Sequence, residues 1–321
     1  MKEYIQIQDL EKEYVIYERK GFRRVRKKIH ALQGISLSLE KGSFLGYIGP
    51  NGAGKSTTVK ILTGIMTPEH GTVLVNGLCP WKDRKRFVRQ IGVVFGQKSQ
   101  MWWDLPVQDT YQLLRAIYRV RQEDFRLRLA WVREMLELDS FFHQPVRQLS
   151  LGQRMRAELG AAVLHKPDIL FLDEPTIGLD LLSKQRVLDF LQQIHKEGTT
   201  VFLTTHDLPE IEILCQSILI LNQGRIAFHG SLESLKQLIP LERRLIATLS
   251  QAQQEIHDQQ LIEIQRIGAT YEPSRRQMVI SFPQGKNPAE IIRFLLSRFE
   301  IQDFHIAEPG IEEIVKHIYL G

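Results

Sequence analysis

The sequence predicts an α/β domain with an inserted helical subdomain, followed by a small α+β domain, and three observations carry that prediction. A glycine-rich stretch, Gly49-Pro50-Asn51-Gly52-Ala53-Gly54-Lys55-Ser56-Thr57, fits G-x-x-x-x-G-K-[ST] and sits between a short apolar strand (43–48) and a helix start (57–62). The continuous apolar run Ile169-Leu170-Phe171-Leu172, of the kind found in central parallel strands, ends in Asp173-Glu174. Past Gly230 the pattern reads β-α-β-β-α-β, the order of a ferredoxin-like domain. The expected boundaries are 1–230 for the first domain, with its helical subdomain at about 98–165, and 231–321 for the second.

Taken in order, Ile5-Gln6-Ile7-Gln8 alternates as a half-buried strand does, Tyr14 to Tyr17 continues extended chain, and Ile35 to Leu39 alternates again. These pieces predict an antiparallel sheet leading into the strand before the glycine-rich loop. Further strand candidates are 71–77 and 90–96. From Val107 to Ala162 the pattern turns helical, with Phe125, Leu129, Val132 and Leu136 on one stripe. The core resumes at 169–172 and 200–204, and Asn222-Gln223-Gly224 separates two short runs in a hairpin-like signal. The second domain then offers a strand at 245–249, a helix near 255–267, two strands around 273–276, a helix at 288–299 and a strand at 303–306.

The 321 residues are 43% hydrophobic and 25% charged, ordinary values for a globular chain. No apolar run reaches the ~20 residues that span a bilayer, and the N-terminus lacks signal-peptide character, so a membrane role is expected to come through a partner. Cys79 and Cys215 lack metal or redox spacing; both read as small buried hydrophobes in a reducing compartment. The net charge of +5 does not argue for nucleic acid. Seven bases and one acid between Glu18 and Lys28 hold +6, leaving −1 for all other residues. That run reads as a solvated insertion between two strands; contact with anionic lipid headgroups is the sharper alternative.

The glycines let successive backbone N–H groups turn inward at a helix N-terminus, which favours phosphate oxygens. Lys55 is placed for the β- and γ-phosphates and the Ser56 hydroxyl for Mg²⁺. Ligands of open α/β sheets gather at the carboxyl ends of strands, so Asp173 and Glu174 should face the same nucleotide. Asp173 suits Mg²⁺, and Glu174 is placed to polarise a water for attack on the γ-phosphate.

With these residues in view, the chain resembles the ATP-binding subunit of an ABC transporter over about residues 1–230. Leu149-Ser150-Leu151-Gly152-Gln153 resembles the signature sequence, Gln97 the Q-loop glutamine, Gly178-Leu179-Asp180 the D-loop and His206 the switch histidine. The resemblance implies a head-to-tail dimer, of this chain with itself or with a related cassette, holding two ATPs. In it Ser150, Gly152 and Gln153, at a helix terminus that Ser150 would cap, face the γ-phosphate bound by the other subunit. It further implies that Gln97 senses Mg²⁺ and water, His206 contacts the γ-phosphate and Asp180 links the two sites. Tyr14 is taken for the aromatic on adenine, with Tyr17 close enough to compete. The family's usual glycine is Leu151 here, which is expected to weaken or retune closure without abolishing ATPase activity.

One cassette per chain and no sustained heptads separate it from translation-factor and DNA-repair relatives. The single cassette, the lone C-terminal domain and the run Asp173-Glu174-Pro175-Thr176-Ile177-Gly178-Leu179-Asp180 resemble an export-type branch of the family, which implies ATP hydrolysis powering export through a separate transmembrane permease, at the cytoplasmic face of the inner membrane. A regulatory ABC ATPase acting on ribosomes or nucleic acid is the alternative. Met101, Trp102 and Trp103 could form the exposed apolar side of a groove for the permease or pack inside the helical subdomain. The second domain is expected to be a dimer contact or a passive appendage; substrate identity is not legible.

Overall fold

The computed structural model describes residues 3–20, 23–96, 99–238, 242–250, 268–283, 286–307 and 310–320. The chain divides into two compact units, Met1–Leu232 and Glu233–Gly321.

In the first unit, β1 (Glu3–Lys20), β2 (Arg23–Glu40) and β4 (His70–Val75) form an antiparallel sheet of order β2-β1-β4. A second sheet has the order β5-β6-β7-β3-β8-β9. Its strands are β3 (Phe44–Ile48), β5 (Ile91–Phe95), β6 (Ile169–Asp173), β7 (Thr200–Thr204) and β8 (Ser217–Asn222), parallel throughout, with β9 (Arg225–Ser231) antiparallel at the edge. Every residue of β3 and β7 is buried, as a parallel strand covered on both faces requires. Ile5, Ile7, Leu37 and Val73 of the antiparallel sheet share one core with Phe171 and Phe202 of the parallel sheet. Val59 and Leu62 of helix α1 (Lys55–Leu62) belong to the same core, which fixes that helix against both sheets.

The basic run is not an inserted loop. From Glu13↔His30 onward β1 and β2 pair without a shift out to Lys20↔Arg23, so residues 18–20 and 23–28 are the distal parts of two long paired strands. The third strand, β4, accompanies β1 only as far as Glu11↔His70. Beyond that point the ribbon is two-stranded, and its described side chains at 15–17 and 26–30 are all exposed, so no period-2 burial pattern is imposed on that stretch of sequence. Val15, Ile16 and Tyr17 on this ribbon are accordingly exposed.

The helical subdomain contains α3 (Val107–Tyr118), α4 (Gln122–Met135) and α5 (Leu151–Val163); α2 (Arg84–Phe87) is a single turn before β5. Phe125, Val132 and Leu136 of the expected stripe are fully buried and Leu129 partly so. After it, α6 (Leu181–Lys196) connects β6 to β7 and α7 (Leu208–Leu214) connects β7 to β8. Cys215 is buried, but Cys79 is only partly so, which corrects the expectation for that residue.

The second unit has an antiparallel sheet of order β11-β12-β10-β13, made of β10 (Arg243–Leu249), β11 (Ala269–Glu272), β12 (Gln277–Phe282) and β13 (Ile301–Ala307). Leu295 and Phe299, in and just after the helix Ala289–Arg298, pack with Leu245, Leu249, Met278, Ile280 and Phe282. The expected helix at 255–267 lies outside the described residues. A helix at Ile311–Leu320 was not anticipated; Ile311, Ile314 and Val315 form its buried face, at the i, i+3, i+4 spacing that could have revealed it.

Candidate functional site

The site lies at the carboxyl ends of β3, β6 and β7. Where the chain leaves β3, steric contacts demand glycine: a Cβ at Gly49 would sit 2.5 Å from the Leu221 carbonyl oxygen, and one at Gly54 (φ +111°) 2.5 Å from that of Ala31. The N-cap of α1 is Gly54, which has no side chain to cap it, so the first N–H groups of the helix are left for the loop it closes. The Lys55 ammonium, 6% exposed, donates to the Gly49 carbonyl at 2.7 Å and lies 3.6 Å from Glu174 Oε1.

Asp173 and Glu174 follow directly. The Ser56 hydroxyl lies 3.3 Å from Asp173 Oδ1, bringing two hard oxygen donors together across 117 residues of chain. Thr204, opposite Asp173 in the β6–β7 register, donates its hydroxyl to the same Oδ1 at 2.6 Å. The Glu174 N–H is directed at Thr204 twice, 3.0 Å from the carbonyl oxygen and 3.2 Å from Oγ1. These bonds hold Glu174 at φ +52°, a left-handed conformation uncommon for a non-glycine residue. On the other side Gly96 N–H donates to the Asp173 carbonyl at 2.8 Å, and a Cβ at Gly96 would approach the Glu174 carbonyl oxygen to 2.3 Å. His206, 57% exposed, reaches Glu174 Oε2 through Nδ1 at 3.5 Å.

Lys55, Ser56, Asp173, Glu174 and His206 are thus brought together, and Thr204 joins them unannounced. Its only sequence signal was a threonine ending an apolar strand two residues before His206. Among the described residues no cluster of three or more His, Cys, Asp or Glu side chains could cage a metal. One carboxylate and one hydroxyl beside a phosphate loop instead fit Mg²⁺, which keeps several waters and takes phosphate oxygens as ligands. Gln97 lies outside the described residues. The segment after it is tied to α5 through the buried Glu158 carboxylate, which accepts the Ser99 hydroxyl and, at 3.2 Å, the Gln100 N–H. Burial raises the Glu158 pKa, partly opposed by those bonds.

The Tyr14 hydroxyl lies 3.2 Å from Thr57 Oγ1, bringing this ring to the first turn of α1, while Tyr17 is 66% exposed on the ribbon. Ser150 caps α5 in a capping box: its Oγ accepts the Gln153 N–H at 3.2 Å and its N–H donates to Gln153 Oε1 at 2.9 Å. The serine O–H proton is left for an outside acceptor. The helix starts at Leu151, directly after the serine expected to cap it. Gly152 is buried, and a Cβ there would meet Ser183 Oγ at 2.5 Å. Ser183 in turn donates its N–H to Asp180 Oδ1 at 2.9 Å and its hydroxyl to Oδ2 at 2.7 Å, and these bonds lower the Asp180 pKa. The signature terminus therefore packs on the Asp180 turn of its own chain, while the hydrogen bonds of Ser150 and Gln153 stay within α5. Leu151 is partly exposed, with Cδ2 only 3.0 Å from where a Cβ at Gly178 would stand. Trp102 and Trp103 are exposed, whereas Met101 is buried and cannot share their surface.

Residues 32–177 match the family model described as ABC transporter. The chain is 33% identical over 232 residues to an ABC transporter ATP-binding protein of Methanosarcina mazei, covering 72% of this chain and 79% of that one. It is 29% identical to the ABC transporter ATP-binding protein NatA of Bacillus subtilis, covering 67% and 87%. Against ABC transporter A family member 8 of Dictyostelium discoideum it is 37% identical over 67% of this chain but spans 25% of that longer protein. A dimeric bacterial ABC transporter cassette superposes with a TM-score of 0.61 at 28% identity, covering 71% of this chain and 98% of that one. A post-hydrolysis dimer of an ATP-binding cassette with ADP and Pi also gives 0.61, at 26% identity, covering 71% and 98%. Motifs, site geometry and comparisons agree that this chain belongs to the ABC transporter ATP-binding family and that its first unit is an ABC ATPase cassette.

Proposed function

We propose that this ATPase powers export through a separate transmembrane permease, bound peripherally at the cytoplasmic face of the inner membrane as a head-to-tail dimer. The observation that carries the chemistry is the convergence of Lys55, Ser56, Asp173, Glu174 and His206 at the strand ends. The amides of 49–57 and the Lys55 ammonium bind the β- and γ-phosphates, and Ser56 and Asp173 hold Mg²⁺. When bound, Mg²⁺ neutralises charge developing on the phosphate oxygens. Glu174 orients and polarises the attacking water, and His206 contacts the γ-phosphate, beside which Gln97 acts. Tyr14 stacks on adenine. Ser150, Gly152 and Gln153 close over the γ-phosphate held by the other subunit, with Asp180 crossing between the sites.

Permease coupling is supported by the exposure of Trp102 and Trp103 on the segment after Gln97, since aromatic anchors favour docking surfaces. Among the described residues no helix is long and apolar enough to cross a membrane. Outward transport is supported by a relative named the linearmycin resistance ATP-binding protein LnrL of Bacillus subtilis, 34% identical over 62% of this chain and 64% of that one. Moving a toxic compound outward is one way to confer resistance. We assign residues 231–321 an accessory role, as a dimer contact or appendage.

The test is Glu174→Gln in the full chain, tagged and recovered from gently solubilised cells with ATP. General-base loss should lower turnover by roughly 10²–10⁴-fold. The variant should also hold an ATP-bound dimer together with a polytopic membrane protein. Ribosomal or nucleic-acid partners alone would remove the transport claim; normal turnover would remove Glu174 as the base.

A further inference from the structure

We propose that Lys184 is a positioning residue for His206, tying the loop that carries the histidine to the helical turn that carries Asp180. The proposal rests on the reading of His206 as a γ-phosphate contact. The His206 ring is more than half exposed, and Glu174 is its one ion-pair partner among the described residues. Its place is therefore set by the backbone of its neighbours.

Those neighbours are held by a compact polar network. The Thr205 hydroxyl accepts the Asp207 N–H at 3.0 Å and donates to Glu210 Oε2 at 2.9 Å. Asp207 and Glu210 stand on either side of the start of α7, and Lys184 of α6 bridges them, pairing with Asp207 Oδ2 and, at 3.1 Å, with Glu210 Oε1. Glu210 is 1% exposed, so without the ammonium two carboxylates would be left close together, one of them buried. Burial lowers the Lys184 pKa, but the bonds to Asp207 and Glu210 outweigh it and the net shift is upward, so the bridge is charged at neutral pH.

The other end of the bridge is equally fixed. The Lys184 N–H donates to the Asp180 carbonyl at 2.9 Å, within the first turn of α6, and Asp180 caps that turn. Ser183, beside Lys184, is the residue against which Gly152 packs. A continuous path of contacts thus runs from Gly152 through Ser183, Asp180 and Lys184 to Asp207, the residue after His206. Closure of the signature terminus on nucleotide would be felt at the histidine through this lysine.

A double-mutant cycle on the full chain tests the assignment, with ATPase kcat and KM measured for wild type, Lys184→Met, His206→Ala and the double variant. A misplaced histidine should cost roughly ten- to a hundredfold in kcat, with KM for ATP little changed. In the His206→Ala background the same lysine substitution should cost nothing further, because nothing remains to be positioned. Lys184→Arg should recover most of the loss by keeping both ion pairs. Equal fold-losses in both backgrounds, or a loss confined to KM, would overturn the proposal. If Lys184→Met does not fold, Asp207→Asn runs the same cycle from the other side of the bridge. A His206→Ala variant with wild-type kcat would overturn the reading of His206, and this proposal with it, and is distinguishable from additivity by that single variant.

Discussion

Replacing Thr204 with valine tests whether the bond between neighbouring strands, and not the Asp173-Glu174 dipeptide alone, builds the acidic end of the site. Thr204 is fully buried, and its hydroxyl donates to Asp173 Oδ1 at 2.6 Å while accepting a share of the Glu174 N–H. Valine keeps the volume and removes both functions. The Glu174 amide keeps the Thr204 carbonyl at 3.0 Å, so its loss is small. Asp173 loses a charge-assisted bond, worth about 1.5–3 kcal/mol. Urea unfolding should therefore show a loss of about that size, with an unchanged m-value. The functional effect follows from orientation. Without the threonine, Asp173 Oδ1 is no longer held beside Ser56, and losing such a supporting partner typically costs about 10–100-fold in metal affinity. ATPase activity titrated with Mg²⁺ at fixed ATP should need correspondingly more metal, and Thr204→Ser should restore both properties. Wild-type stability together with a wild-type Mg²⁺ titration in Thr204→Val would refute the reasoning.

Two further substitutions probe the packing of the cassette. Gly152→Ala drives a methyl into Ser183, whose hydroxyl must then leave Asp180. Unfolding should show a loss of about 1–2 kcal/mol, combining overpacking with one broken bond, and adding Ser183→Gly should return most of the packing part. A Gly152→Ala variant as stable as wild type would show that the two helix termini do not approach so closely. His165, stacked on Tyr118 with its Nε2–H on the Ile91 carbonyl, has its pKa lowered to about 4, chiefly by burial. The unfolded chain takes up this proton first as pH falls below about 6.5, so its contribution is complete above that pH and is lost down to about 4. The cost is about 2 kcal/mol at pH 5 and about 3 in full. His165→Gln should reduce the difference in unfolding free energy between pH 7 and pH 5 by that 2 kcal/mol; an undiminished difference would place the acid sensitivity elsewhere.

What could be read from the chain was what short-range chemistry decides. The glycines of 49–54 announce a loop because left-handed and crowded backbone admits little else. Ser150 and Gln153 announce a helix start because capping needs residues only three apart. Asp173 and Glu174 could be placed at a strand end because the apolar run before them has no other economical home. The basic ribbon was misread for the complementary reason: where β4 no longer accompanies β1, the strands pair with their described side chains at 15–17 and 26–30 exposed, and no alternation of apolar and polar residues marks them.

The sequence by itself therefore determined the phosphate loop, the acidic pair, the signature cap and the alternation of strands with helices. Each depends on residues within a few positions of one another. Tertiary structure alone decided that Thr204 stands opposite Asp173, that Ser183 crowds Gly152, and that Lys184 spans Asp207 and Glu210. Those contacts join residues 23 to 31 positions apart on separate strands and helices. Which elements become neighbours is settled by the strand order and register of the sheet, when the whole apolar core is buried at once.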